Sequence, residues 1–205
     1  MTSVDATEPS DGPTENSGIY SAQISDAGLS VLKGLIGRTI NLVYASCLQV
    51  AGRDLTAPSL SIPTLDEIDG RWIHRYVVIR CNYFETPKTW LDYWEMLVSD
   101  EEKPNGIEVN STNAIVAPCT INFYHAEPVS RIDIFTFEWS AGEGPDTESV
   151  KFDQAIRFQL AGGKSLCVAC RLDGPGIGTE VHISEDEETI AEFLKDSRLR
   201  LSIIG

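Results

Sequence analysis

Lys151 to Ser184 reads KFDQAIRFQLAGGKSLCVACRLDGPGIGTEVHIS and carries the clearest secondary-structure pattern in the chain. Ile156, Phe158 and Leu160 alternate with Arg157 and Gln159. Leu166, Val168, Cys170 and Leu172 alternate with Cys167, Ala169 and Arg171. Alternation with period two predicts strands with one face buried and one face wet. Ala161-Gly162-Gly163-Lys164 lies between the runs, and paired glycines supply the positive φ of a short hairpin turn. The stretch therefore predicts a β-hairpin whose apolar face is Ile156, Phe158, Leu160, Leu166, Val168 and Leu172.

This hairpin excludes two tempting chemistries. A phosphate-binding loop needs a glycine five positions before the Gly of Gly-Lys-Ser, so that backbone N–H groups curl around phosphate oxygens. Phe158 stands at that position, and no helical pattern follows Ser165 to receive the anion. Redox and metal Cys-x-x-Cys pairs sit where both sulfurs converge. Cys167 and Cys170 on one strand would point to opposite faces about 10 Å apart, beyond the roughly 7 Å reach of a disulfide.

Working outward, the chain has 205 residues, 42% of them apolar, enough for a real core. Its formal net charge is −15 and its pI about 4.5. Binding to nucleic-acid phosphates draws on Lys and Arg, and an anionic leaflet repels acid, so the balance argues against direct nucleic-acid or membrane contact. It favours solubility and a basic partner. Cys47, Cys81, Cys119, Cys167 and Cys170 are scattered and odd in number, which predicts reduced thiols in a cytoplasmic protein. The N-terminus lacks the basic and apolar regions of a signal peptide. Asn110-Ser111-Thr112 matches a glycosylation acceptor that would be idle there.

Residues 1 to 18, rich in Ser, Thr, Pro and acids, predict a disordered acidic tail before a single domain over 19 to 205, with a possible subdivision near 84 to 90. Asp26 is the expected cap of a helix through Leu29, Leu32, Leu35 and Ile36, with Gly37 as its stop. A strand from Thr39 to Val50 would place Ile40, Leu42, Tyr44, Leu48 and Val50 on one face. Residues 51 to 70, with Pro58 and Pro63, predict a long connection ending in an Asp69-Gly70 turn. In a strand from Arg71 to Tyr83, Ile73, Val77, Ile79 and Cys81 would face inward, and Trp72, His74, Tyr76 and Val78 outward. Thr86-Pro87 and the spacing of Trp90, Leu91, Trp94, Leu97 and Val98 lean to a helix, although Trp94, Met96 and Val98 also alternate.

A turn over Ser99 to Gly106 precedes short strands at 107–109, 114–116, 120–124 and 131–139. In the last, Ile132, Ile134, Thr136 and Glu138 would oppose Asp133, Phe135, Phe137 and Trp139. Residues 140 to 149 predict a mobile acidic loop. Ser184 and Glu187 fit a capping box that opens a helix buried through Ile190, Phe193 and Leu194, and Leu199, Leu201 and Ile203 predict a closing strand. The Trp94–Val98 and Ile107–Val109 runs echo the 156–168 hairpin faintly, and coincidence accounts for the echo better than a duplicated hairpin does. The expected fold class is α+β, a mainly antiparallel β-sheet with two or three short helices after the tail.

No elbow of a serine hydrolase, zinc-protease helix, EF-hand loop or dinucleotide glycine pattern is present. His74, His125 and His182 are far apart. A Cys nucleophile would need Cys119 or Cys81 beside His125 or His74, assembled by the fold. The expected function is therefore a non-enzymatic acidic protein-binding module, of the inhibitor or immunity type, that masks a basic partner such as a toxin or nucleic-acid-binding protein. It would need no cofactor or metal. The alternatives are an enzyme with a Cys/His or metal site from distant residues, and a scaffold or homo-oligomer subunit. The candidate interface residues are Trp90 and Trp94, with Trp72 and Tyr93 in the same aromatic group, and the acids Asp100, Glu101, Glu102, Glu185, Asp186 and Glu188.

Overall fold

The structure is a computed structural model that describes residues 14–16, 18–51, 54–68, 70–110, 114–124, 127–171 and 180–205, with backbone alone at 14–16, 51, 54, 67–68 and 71–72. The first half holds β1 (Thr14–Asn16), β2 (Ile19–Ala22), α1 (Asp26–Lys33), β3 (Leu42–Ala45), β4 (Gln49–Ala51), β5 (Asp54–Ala57), β6 (Ser59–Ile68), β7 (Arg71–Glu85) and β8 (Asp92–Glu101). Then follow β9 (Glu108–Val109), β10 (Ile115–Val116), β11 (Cys119–Asn122), β12 (Val129–Ala141), a single 3-10 turn at Gly144–Asp146, β13 (Glu148–Leu160), β14 (Ser165–Cys170), β15 (Val181–Ser184), α2 (Glu187–Phe193) and β16 (Arg198–Ile204).

The strands form a nine-stranded sheet, a five-stranded sheet ordered β11-β3-β6-β7-β8, and a small β9–β10 ribbon. Long β13 organises the larger sheet. One side pairs with β12, which carries β16 beyond it. The other side pairs first with β2, in parallel, and then with β14, which leads on through β15 and β5 to β4. All other described pairings are antiparallel, as expected for this fold class.

The two sheets face each other across one core. Val43, Leu60, Val77, Ile79, Trp94 and Met96 of the smaller sheet share it with Ile134, Phe152, Phe158, Val168 and Ile183 of the larger. The rings of Trp94 and Phe152 lie 5.4 Å apart across it. Fully burying an aromatic or branched aliphatic side chain is worth about 1.5–3 kcal/mol, so this interior dominates stability. Each sheet also has a second covering. Ala155, Cys167, Ala169, Ile190 and Phe193 pack where α2 lies on the larger sheet. Tyr44, Tyr76, Val78, Ile107 and Ile115 pack where the segment after β8 lies on the smaller one.

The quoted hairpin forms as expected: Ile156 pairs with Val168 and Phe158 with Leu166. Gly163 takes φ +85° in the turn, and the Gly163 N–H donates to Leu160. Leu172 and the Gly-Pro-Gly loop lie outside the described residues. Cys167 belongs to the cluster under α2 and Cys170 to the main core, so they do face opposite ways. The expected wet face survives on β13, where Arg157 and Gln159 are half-buried, but not on β14, every residue of which is buried where α2 lies.

Several expectations are corrected. Segment 87–98 is no helix: residues 92–101 are β8, paired along its length with β7. The 51–70 connection is largely β5 and β6. Pro63 is tolerated in β6 because β3 pairs with that strand only at Tyr44–Ser61, leaving one side of Pro63 without a ladder. The 39–50 strand breaks into β3 and β4, with Val43 in the main core and Tyr44 on the opposite face. A register shift at Phe135/Thr136 breaks the alternation of β12, so Phe137 packs on Phe152. β8 pairs with β7, and β9 with β10, so the echoed hairpin does not exist. The caps are Ser25, which accepts from the Gly28 N–H, and Asp186, which accepts from the Thr189 N–H. Ser184 ends β15 instead. Residues 14–16 of the expected tail pair with β2, and 1–13 and 17 lie outside the description.

Candidate functional site

Glu148 opens β13 on the face that continues through buried Val150 and Phe152. It is 2% exposed, and a buried carboxylate must be matched by donors. The donors come from the turn between β7 and β8. The N–H groups of Lys88 and Thr89 donate to Glu148 Oε2 at 3.1 and 2.7 Å, and Thr89 Oγ1 donates at 2.8 Å. The Tyr20 hydroxyl donates to Oε1 at 3.1 Å. Burial pushes the Glu148 pKa up, but the hydrogen bonds from Thr89, Thr86 and Lys88 outweigh it and hold the group at about 2.

The anchored turn closes on itself. Thr86 N donates to the Leu91 carbonyl at 3.0 Å, Leu91 N donates to Thr86 Oγ1 at 3.0 Å, and the Thr86 and Thr89 hydroxyls share a bond of 3.0 Å. Lys88 Nζ pairs with Asp146 at 3.0 Å, tying the turn to the β12–β13 connection. The structure presents Trp90 at the tip, 70% exposed and at φ 57°. Positive φ is uncommon for a bulky residue and is sustained by its surroundings. Tyr124 is also exposed at positive φ, but its described support is one bond from its own N–H to Asn122.

A second large aromatic lies at this end. Trp139, 58% exposed, stands opposite Val150, two residues along β13 from Glu148. At the base of the turn, Glu85 and Asp92 are cross-strand partners, and both accept from the Tyr83 hydroxyl. Burial and these two bonds push the Tyr83 pKa upward, so the phenol stays neutral.

The other candidate interface residues separate. Trp94 is 6% exposed and belongs to the core, as does Tyr93 at 4%. Asp100 and Glu102 both pair with Arg75, and Glu101 pairs with Arg80 at 2.5 Å. Asp186 caps α2, neighbouring Glu187 pairs with Arg157, and Glu185 and Glu188 are exposed near the helix start. A groove of about 710 Å³ beside Gly163 and Lys164 is walled by Glu185, Asp186 and Glu187, a lining that repels phosphates. Trp72 has no described side chain, and neither does His125.

The described cysteines and histidines lie as follows. Cys81 faces the main core and donates to the Glu180 carbonyl, while His74 is on the other face of the same strand. Burial pushes the Cys167 thiol up to about 12 and Cys170 well above its usual value, so neither supplies a thiolate nucleophile. His182 packs edge-on against Phe193 beneath α2. Among the described residues no group of three or more His, Cys, Asp or Glu converges as metal ligands, and no helix is long and apolar enough to cross a membrane.

No protein-family model, curated protein or solved structure matches the chain.

Proposed function

We propose that the protein is a non-enzymatic binding module whose docking site is the Trp90 turn, and that its partner is a basic protein. The observation that carries this reading is Trp90 itself: a large aromatic side chain left in solvent on a backbone conformation that costs stability, on a turn pinned by a buried carboxylate. Tryptophan is the side chain most enriched among binding hot spots. Its ring face attracts guanidinium and ammonium groups. Glu85 and Asp92 stand at the base of the turn, Trp139 lies at the same end, and the whole chain carries −15. An arginine-rich surface would meet charge and ring face together. Masking such a surface is what an inhibitor or immunity-type protein does.

The test compares affinity capture from the source cells by the wild type and Trp90→Ala, over a salt series. A basic protein should be retained stoichiometrically by the wild type at low salt, released as salt rises, and lost from Trp90→Ala with the fold intact by circular dichroism. Equal capture by both proteins would remove Trp90 from the site. Capture of a neutral or acidic protein would remove the basic partner.

A further inference from the structure

A second feature lies at the far end of the β7–β8 hairpin. Trp90 precedes the start of β8, and the feature lies just past its end, a ten-residue strand away, so the two are about 30 Å apart at the usual rise per residue. Here a cavity of about 480 Å³ opens between the outer face of the smaller sheet and the segment after β8. Ile73, Tyr76, Ile107 and Val109 give it apolar walls, and His74 and Lys103 add polar groups. Its volume falls in the range of small-molecule pockets, which are mostly apolar with a few placed polar groups.

The floor carries the telling group. Tyr76 is 1% exposed, and its hydroxyl has no hydrogen-bond partner among the described residues. Buried hydroxyls are nearly always paired, and an unpaired one is destabilising. The ring is fixed edge-on against Tyr44, with centroids 6.5 Å apart. Burial raises the Tyr76 pKa, so the phenol keeps a proton to donate. The covering segment is lightly tied: its β9–β10 ribbon pairs with no other described strand. The hydroxyl itself is closed to solvent, so a ligand that reaches it must displace part of this packing.

We propose that this cavity binds a small, uncharged, mainly apolar carbonyl compound, with Tyr76 donating a hydrogen bond to the carbonyl oxygen. The rim sets Glu102 and Glu108 against the single Lys103, a lining that disfavours a carboxylate. A cation has no lone pair to accept the Tyr76 proton and would leave the hydroxyl unmatched. The site is independent of the Trp90 turn and goes beyond the protein-binding reading.

Benzamide is the probe, with benzoate and toluene as its charged and acceptor-free counterparts. Two-dimensional NMR of the full chain should show benzamide shifting Ile73, Tyr76 and Ile107 resonances at millimolar concentration, with benzoate and toluene weaker. Tyr76→Phe should fold with equal or higher stability, because it removes an unpaired hydroxyl, and should weaken benzamide about three- to tenfold, the worth of one neutral hydrogen bond. Ile107→Trp, which fills the cavity, should abolish the shifts and leave the Trp90 resonances unmoved. The proposal is overturned if benzamide leaves these residues unshifted, if the three probes bind alike, if Tyr76→Phe binds benzamide as tightly as the wild type, or if that variant is clearly less stable.

Discussion

Trp90 combines two costs that most residues avoid. Its backbone lies in the left-handed region at φ 57°, where an L residue with a Cβ is disfavoured by about 1–2 kcal/mol. Its side chain is 70% exposed, so burial offsets little of that cost. Glycine would relieve the strain, at the expense of a more flexible unfolded chain. Trp90→Gly should therefore be more stable than Trp90→Ala by about 1 kcal/mol, measured by urea unfolding. An alanine variant as stable as the glycine one would show that the backbone here is not strained. Trp90 was legible in the sequence as an aromatic candidate, but its geometry was not. The same apolar spacing also named Trp94, which is core. Periodicity identifies which residues are apolar and says little about which sheet face has a neighbour.

The turn that carries Trp90 is an element built from a distance, by Glu148 at the start of β13. A sequence reading placed Glu148 in a mobile acidic loop, because acids beside Gly and Pro usually mark one. The missed signal was its phase: Glu148, Val150 and Phe152 alternate onto the core face. Thr86-Pro87 misled for a related reason. A hydroxyl followed by proline does start helices, but here Thr86 closes a six-residue turn whose donors have a carboxylate to bind. By contrast, the strands and turn of the 156–168 hairpin were legible, since their alternation and glycine pair are both local signals, while the burial of both faces of β14 was not. Glu148→Gln keeps one oxygen for the Lys88 and Thr89 donors but loses the charge that strengthens those bonds, and turns its amide N–H toward the Tyr20 hydroxyl. Amide exchange at those two residues should quicken, by on the order of tenfold. The pH dependence has a definite sign. The carboxylate titrates at about 2 in the folded protein against 4.5 ordinarily, so as pH falls the unfolded chain takes up the proton first. Its stabilisation is complete above about pH 4.5 and is lost toward pH 2. Denaturant midpoints of wild type and Glu148→Gln should converge over that window. A gap of constant size from neutral pH down to pH 2 would contradict the role of the charge.

At the scale of the whole molecule, two sheets share one core, and short coverings on their outer faces leave the Trp90 end uncovered among the described residues. The acidic segments that the sequence put among the candidate interface residues are partly committed within the fold, to Arg75, Arg80 and Arg157 and to the cap of α2. Charge was legible from composition, but its neutralisation was not, because those arginines come from strands distant in sequence. What remains is the net charge of −15 and an exposed aromatic tip, the two features on which the proposal of a basic partner rests. Fluorine NMR of the chain labelled with 5-fluorotryptophan reads this most directly, since Trp72, Trp90, Trp94 and Trp139 give separate signals that single Trp→Phe variants assign. Titration with a nine-arginine peptide at low salt should shift the Trp90 signal and then that of Trp139, leave buried Trp94 still, and reverse when salt is raised. A Trp90 signal that stays in place while the peptide binds elsewhere would contradict the account.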